Sequence, residues 1–258
     1  MREAVVADFV FLDLLYRQRQ NGQGVRTAIR TAPRDTTDHG LPPHMGQSGS
    51  VGEDASRIAV LSATDRLPDR PLRVLVCGTA GSGKTTIAEH ISAILNIPHV
   101  EIDALFHGPN WQPLDSFLDD VAAFAEQPSW VTEWQYGDAR PLLLKRADML
   151  VWLDLPRSAV MRQVIARTLR RRLRREELWN GNIEPPLHTF FTDPEHIVRW
   201  AWSTHHRTTE RVAAARHERP DLPIVRLTSR AAAVDWLTGP LAAAAQPPAS
   251  RTLHDPSK

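Results

Sequence analysis

The stretch Gly78-Thr79-Ala80-Gly81-Ser82-Gly83-Lys84-Thr85 decides how the rest of the chain is read. It satisfies G-x-x-x-x-G-K-[ST] at every fixed position, the pattern of a phosphate-binding loop. Its glycines let the backbone curl so that consecutive N–H groups point at phosphate oxygens. Lys84 is placed to reach the β- and γ-phosphates as a mobile charge, and the Thr85 hydroxyl to ligate Mg2+. Glycine-rich loops also occur as plain turns, so the flanks matter. Upstream, Leu72-Arg73-Val74-Leu75-Val76-Cys77 reads as a short, buried, β-branched strand. Downstream, Ile87, Ala88, Ile91, Ile94 and Leu95 recur at helical spacing. Strand, glycine loop and helix N-terminus together bind phosphate through orphan N–H groups and the helix dipole. The stretch therefore predicts a nucleoside triphosphate site at Gly78, Thr79, Ala80, Gly81, Ser82, Gly83, Lys84, Thr85 and Thr86.

Length and composition set the bounds. A chain of 258 residues holds one or two domains, and a single α/β domain of about 170 residues fits comfortably. Charged residues make up 24% and the net charge is +1, so no global electrostatic partner is implied. The single cysteine, Cys77, rules out an internal disulfide framework and suits a reducing cytoplasm. At the end of a strand it reads as a small buried hydrophobe rather than a reactive thiol. No apolar run reaches the roughly 18 residues a membrane span needs. Val5 to Tyr16 is the most apolar early stretch, but Asp8 and Asp13 interrupt it and no cleavage site follows. The sequence predicts a cytoplasmic protein without a membrane partner.

Three regions are expected. Residues 1–71 form a disordered or loosely packed extension, apart from one amphipathic helix over Met1 to Gln20. From Asn21 to Pro71, Gly, Pro, Ser, Thr, Asp and Arg dominate without a period, too polar to offset their ordering entropy. Met45 is an alternative start of translation. Residues 72–240 make the ordered domain, and 241–258 a disordered tail rich in Ala, Pro and Ser.

Within the domain, strands are predicted at 72–77, 99–102, 130–133, 149–153 and 224–227. Helices are predicted after the loop, over Asp115 to Gln127, from about Pro141, from Arg157 to about Leu178, and from Asp193-Pro194-Glu195. Ser229 caps a last short helix that Gly239-Pro240 stops. Alternation of strand and helix implies a parallel five-stranded sheet with helices on both faces. Ligands then sit at the carboxyl ends of the strands, which selects Gly78 onward, Asp103, Glu133, Asp154 and Thr228.

Several stretches together resemble a known family. They are Gly78 to Thr86, Ile102-Asp103-Ala104-Leu105-Phe106, Trp111-Gln112-Pro113 and Trp130-Val131-Thr132-Glu133. Ala147-Asp148, Leu153-Asp154-Leu155-Pro156 and Glu177-Leu178-Trp179-Asn180-Gly181-Asn182 join them. Over about residues 72–237 the set is similar to the adenylate-kinase-like P-loop proteins known as topology modulation proteins. The resemblance implies a P-loop kinase or ATPase fold of the adenylate- and shikimate-kinase type, with an Arg-rich helical lid at about 157–192. It implies ATP and Mg2+ as well. One departure stands out: such proteins usually carry Asp-Gly after the third strand, and this chain has Glu133-Trp134.

Phosphoryl transfer needs positioning, Mg2+ and positive charge around the γ-phosphate. Lys84 is the first catalytic candidate. Asp103 is the second, since in the shikimate- and gluconate-kinase-like enzymes that this region resembles an acid here faces the acceptor and the metal; the plainer reading is a loop cap. Glu133 ends an apolar strand, as a Walker B acid does, and is expected to hold Mg2+ through water; the plainer reading is a salt-bridged strand end. Asp154, before Leu155-Pro156, reads as structural.

Residues 157–175 hold eight arginines and no acid, with Arg167, Arg171 and Arg174 on one helical face. A lid, a nucleic-acid patch and a solvated face all fit. As a lid, the helix would offer Arg171 and Arg174 to transition-state charge. Trp130 and Trp152 read as core, and Trp111, Trp134 and Trp179 as loop residues near the strand ends. No histidine has ligand spacing for a structural metal. The leading function is γ-phosphoryl transfer from ATP·Mg2+ to a small-molecule acceptor, a nucleotide or hydroxyl compound. The alternative is a nucleotide-dependent switch or slow ATPase acting on nucleic acid or a protein.

Overall fold

The structure is a computed structural model that describes residues 59–174, 202 and 205–246, with the backbone alone at 171–174. Strands β1 (Arg73–Gly78), β2 (His99–Val100), β3 (Trp130–Glu133), β4 (Met149–Leu153) and β5 (Ile224–Leu227) form one sheet. Its order is β2-β3-β1-β4-β5 and every pairing is parallel. Helices α1 (Lys84–Leu95), α2 (Ile102–Phe106), α3 (Phe117–Ala125), α4 (Ala139–Arg146), α5 (Arg157–Arg174), α6 (Arg207–Glu218), α7 (Arg230–Trp236) and α8 (Ala242–Ala245) complete the described elements.

The alternation of a strand sorts its side chains between two cores. Val74 and Val76 of β1 join Val151 and Leu153 of β4 beneath α1 and α7, where Ile87, Ile91 and Trp236 are buried. Leu75 and Cys77 face the other way with Leu150 and Trp152, against Val121 of α3, Leu143 of α4 and Val212 of α6. Because both faces are covered, the central strands β1, from Val74 to Cys77, and β4 are continuous apolar runs rather than alternating. Neighbouring β1 and β3 send their connections in opposite directions, to β2 and to β4, which opens a crevice at their carboxyl ends.

Three boundaries differ from the sequence expectation, each for a local reason. The second strand stops at Val100, because Ile102 is drawn into a buried helical turn and Asp103 lies inside α2 rather than after a strand. The domain begins before residue 72: Leu61 pairs with Val225 beside β5, donating to Ile224 O at 2.7 Å and accepting from Arg226 N at 2.8 Å. Leu67 is 4% exposed within the core beneath α1. Leu67 stands alone between polar residues and Pro68, and Leu61 ends a run of only four apolar residues, Ile58-Ala59-Val60-Leu61, too short to announce a period.

At the other end the domain runs past residue 240. Pro240 does not stop the chain: a π-helical turn over Leu237–Leu241 absorbs it, with Leu241 buried, and α8 follows. A widened turn spares the clash between a proline ring and a preceding carbonyl. The expectations for residues 1–58, the Asp193 helix, Trp179, the second half of the lid (175–192) and the tail from 247 lie outside the described residues.

Candidate functional site

The loop between β1 and α1 is closed by backbone alone. Ser82 N donates to Thr79 O at 3.0 Å, and Gly83 serves as N-cap of α1 in the left-handed region, with φ of 94°. No side chain caps the helix and no acid lies in its first turn, so its N–H groups face outward for an anion. Two glycines are obligatory on steric grounds. A Cβ on Gly78 would collide with Ser82 Oγ, and one on Gly81, at φ of 81°, would lie 2.8 Å from Val164 Cβ on α5. Helix α5 thus packs directly on the loop. Gln163, beside Gly83, accepts from Arg230 at 2.8 Å, joining α5 to the start of α7.

Lys84 is the first residue of α1. Burial holds its pKa below the ordinary lysine value; Asp103 and Glu133 oppose that shift, and the Arg167 guanidinium adds to it. One lysine therefore feels two carboxylates and an arginine drawn from α2, β3 and α5. The sequence-predicted Lys84, Asp103 and Glu133 are brought to one place. Arg171 and Arg174 are not described beyond their backbone; the arginine of that stripe shown acting on Lys84 is Arg167.

Glu133 is 1% exposed, opposite Val76 in the sheet register. It accepts from Ile102 N at 3.4 Å and lies 3.3 Å from His99 Nε2, while the Thr85 hydroxyl donates to its carboxylate. Burial pushes its pKa up, but the hydrogen bond and charge of His99 and the bond from Thr85 outweigh that and hold it below the ordinary range. For His99, burial opposes the charge and Glu133 outweighs burial, leaving its pKa raised. The pair Thr85 and Glu133 offers a hydroxyl and an ionised carboxylate, hard oxygen donors of the kind Mg2+ takes. Because Glu133 is already engaged by His99 and Ile102 N, a bridging water is the fitting link from its carboxylate to a metal. Among the described residues no cluster of three or more His, Cys, Asp or Glu forms a metal centre.

Asp103 sits in the first turn of α2, half-buried. Its Oδ1 accepts from Gln135 Nε2 and from the Tyr136 hydroxyl, both at 2.6 Å. The Tyr136 hydroxyl also lies 3.2 Å from His107 Nε2. Burial, then the charge and hydrogen bond of Asp103, raise the Tyr136 pKa, so the phenol stays a proton donor. Burial lowers that of His107, against the pull of Asp103. Tyr136 has φ of 60°, uncommon for a residue with a Cβ, and Phe106 stacks on its ring at 4.1 Å between centroids. A strained tyrosine locked by stacking and tied to a carboxylate is a built feature. Sequence reading missed Gln135, Tyr136 and His99. Only the place of Gln135 and Tyr136 just past β3 could have signalled them.

The other expectations resolve simply. Asp154 accepts from Arg226 Nε at 2.7 Å, and Arg226 lies 5.0 Å from the Trp152 ring centroid, a fastening of β4 to β5. Trp134 is buried and donates to Arg140 O at 3.1 Å, and Trp130 and Trp152 lie in the core. Burial raises the Cys77 thiol, the charges of Lys84 and Arg211 opposing, so it remains a thiol. A hollow of about 490 Å3 lies at the amino ends of the strands, around Arg73, Asp148 and Arg219. There Arg219 is bound to Leu144 O and Asp221, a structural clasp. No helix among the described residues is long and apolar enough to cross a membrane.

No family model matches the chain, and no curated protein matches it. Solved structures do. A sugar kinase from Janibacter sp. HTCC2649 is 21% identical, covering 69% of this chain and 99% of its own, with a TM-score of 0.38. A gluconokinase from Sinorhizobium meliloti 1021 is 22% identical over 57% of this chain and 98% of its own, at 0.31. A shikimate kinase from Acinetobacter baumannii, in complex with shikimate, is 11% identical over 65% and 89%, at 0.40. All three are small-molecule kinases by name. At such scores they carry no argument here: the fold is read from the strand order and the loop, and the function from the site.

Proposed function

We propose that this chain transfers the γ-phosphoryl group of ATP to a hydroxyl of a small-molecule acceptor, with Mg2+ bound. The observation that supports it best is the second acid. Glu133 is committed to His99, Ile102 N and Thr85, whereas Asp103 has one oxygen held by Gln135 and Tyr136 and, among the described residues, no hydrogen bond to the other. A loop that only binds nucleotide does not require a separately oriented carboxylate next to its lysine.

In this reading the loop amides from Gly78 to Thr86 and the Lys84 ammonium hold the β- and γ-phosphates. Thr85 directly, and Glu133 through water, would hold Mg2+, which neutralises charge shared by those phosphates. Arg167 adds positive charge as the phosphoryl group moves, and Arg171 and Arg174 remain proposed partners on the same helix. Asp103 orients the acceptor hydroxyl and takes its proton as the new P–O bond forms and the bond to the β-phosphate oxygen breaks. The products are ADP and a phosphate monoester.

ADP formation with nucleosides, nucleotides, sugars and hydroxy acids, products identified by mass, tests this. Acceptor-dependent ADP formation that collapses in Asp103→Asn is the expected result. Hydrolysis indifferent to every acceptor and to Asp103→Asn would replace this reading with a nucleotide switch.

A further inference from the structure

The Tyr136 hydroxyl that holds Asp103 has a second neighbour, and the two contacts together fix where its hydrogen lies. It is 2.6 Å from Asp103 Oδ1 and 3.2 Å from His107 Nε2. An ionised carboxylate has no hydrogen to give, so the phenol is the donor on that side, and it has only one. The contact with His107 is therefore a hydrogen bond only where Nε2 carries the hydrogen and the phenol oxygen accepts. Burial keeps the His107 pKa below its ordinary value, so near neutral pH the ring holds one hydrogen, on Nε2 or on Nδ1.

The chain around His107 fixes that ring. Its backbone N–H donates to Asp103 O at 2.9 Å at the end of α2, and the residue opens a hairpin by bridging to Pro113. Gly108 N donates to Gln112 O at 2.7 Å, and Leu114 N to Phe106 O at 2.9 Å. At the hairpin tip Asn110 and Trp111 both take the left-handed region, with φ of 55° and 60°, uncommon for residues with a Cβ. The Trp111 ring stands perpendicular to His107 at 5.1 Å between centroids, and Phe106 does the same at 5.0 Å. Backbone strain persists only where its surroundings over-determine it, and it gathers at working sites.

Building on the kinase reading above, we infer that His107 is a positioning residue: its Nε2–H donates to the Tyr136 oxygen and commits the single phenol hydrogen to Asp103. The hydrogen bonds then run one way, from imidazole to phenol to carboxylate. With the opposite tautomer Nε2 would be an acceptor competing for the phenol hydrogen, and Asp103 Oδ1 would share its donor. The strained Asn110-Trp111 turn, which neither the nucleotide nor the acceptor acid requires, has its use here: it holds the ring that aims the tyrosine.

The test joins spectroscopy to kinetics. Long-range proton–nitrogen NMR of the full chain, with His107 assigned by its loss in His107→Gln, reads the tautomer directly. A neutral ring with its hydrogen on Nε2, and an Nε2 resonance that moves in Tyr136→Phe, is the expected result. A hydrogen on Nδ1, or an Nε2 resonance indifferent to Tyr136→Phe, overturns the inference. This reading needs no turnover, so it stands or falls apart from the kinase proposal. With a working acceptor, His107→Leu should lower kcat about 3- to 10-fold, the KM for ATP unchanged. His107→Gln, whose amide N–H can take the place of Nε2–H, should restore most of that rate. Because His107 acts through Tyr136, adding His107→Leu to Tyr136→Phe should cost nothing more. Losses that multiply in the double variant, or a Gln no better than Leu, would reduce His107 to packing.

Discussion

The two walls of the site are built in different ways. The wall proposed to meet the nucleotide is one uninterrupted run, Gly78 to Thr86, whose working groups are mostly backbone N–H. The wall proposed to meet the acceptor draws Asp103 from α2 and Gln135 and Tyr136 from the turn after β3. Phosphate is the same in every nucleotide, so a local turn of fixed shape suffices for it. An acceptor differs from one kinase to another, and distant side chains can be exchanged without touching the loop.

That contrast can be broken at its strong end first. Lys84→Ala removes the cation of the loop and should lower turnover by about 100- to 1,000-fold, with the melting temperature almost unmoved. ATP affinity and turnover both intact would abolish the nucleotide wall as drawn. On the other wall, Asp103→Asn should lower kcat by about 100- to 10,000-fold. Tyr136→Phe, which keeps the ring stacked on Phe106 but removes the donor, should lose about 10- to 100-fold. The KM for ATP should hold in both. If Tyr136→Phe matched the parent, orientation of Asp103 would rest on Gln135.

Smaller effects probe the scaffold under the two walls. Leu67→Ala should cost about 2–5 kcal/mol in urea unfolding, because it leaves a cavity beneath α1. No change would return residues 59–71 to the loose extension that composition suggests.

The pair His99 and Glu133 gives the smallest effect, about 1–2 kcal/mol, and a pH signature. His99 has a raised pKa, so its charge stabilises the fold in full below its ordinary value of 6.5. That contribution fades as pH rises through the raised value. Glu133, with a lowered pKa, contributes above its ordinary value of 4.5, and its share is lost as pH falls through the lowered one. Urea unfolding of metal-free parent and His99→Gln should therefore diverge most between these limits and converge at alkaline pH. A difference independent of pH would show that His99 acts through packing.

Much of the frame was legible because its signals are short-range. Trp130–Glu133, Met149–Leu153 and Ile224–Leu227 are strands over the residues expected, as apolar runs between turns. The Ser229 hydroxyl caps α7 by accepting from Ala232 N, as its position predicted. Leu67 was illegible because a single apolar residue in a polar segment has no period, and the four-residue apolar run ending at Leu61 is too short to show one. Asp103 was chosen as if it ended a strand, yet it lies in a helix. From that helix it still acts on Lys84, while the residues that hold it, Gln135 and Tyr136, could not be named.

By itself, then, the sequence determined the elements whose cause lies within a few residues: the glycine loop, the buried strands, the Ser229 cap, and the acid that ends β3. Tertiary structure alone decided that Arg167 acts on Lys84, that Glu133 is shared by Thr85 and His99, and that Tyr136 holds Asp103. The physical reason is the range of the forces involved. Backbone geometry and capping act over one turn and leave a mark in neighbouring letters. Charge and side-chain hydrogen bonds act between whatever the fold brings near, and parallel crossovers bring together residues far apart in the chain.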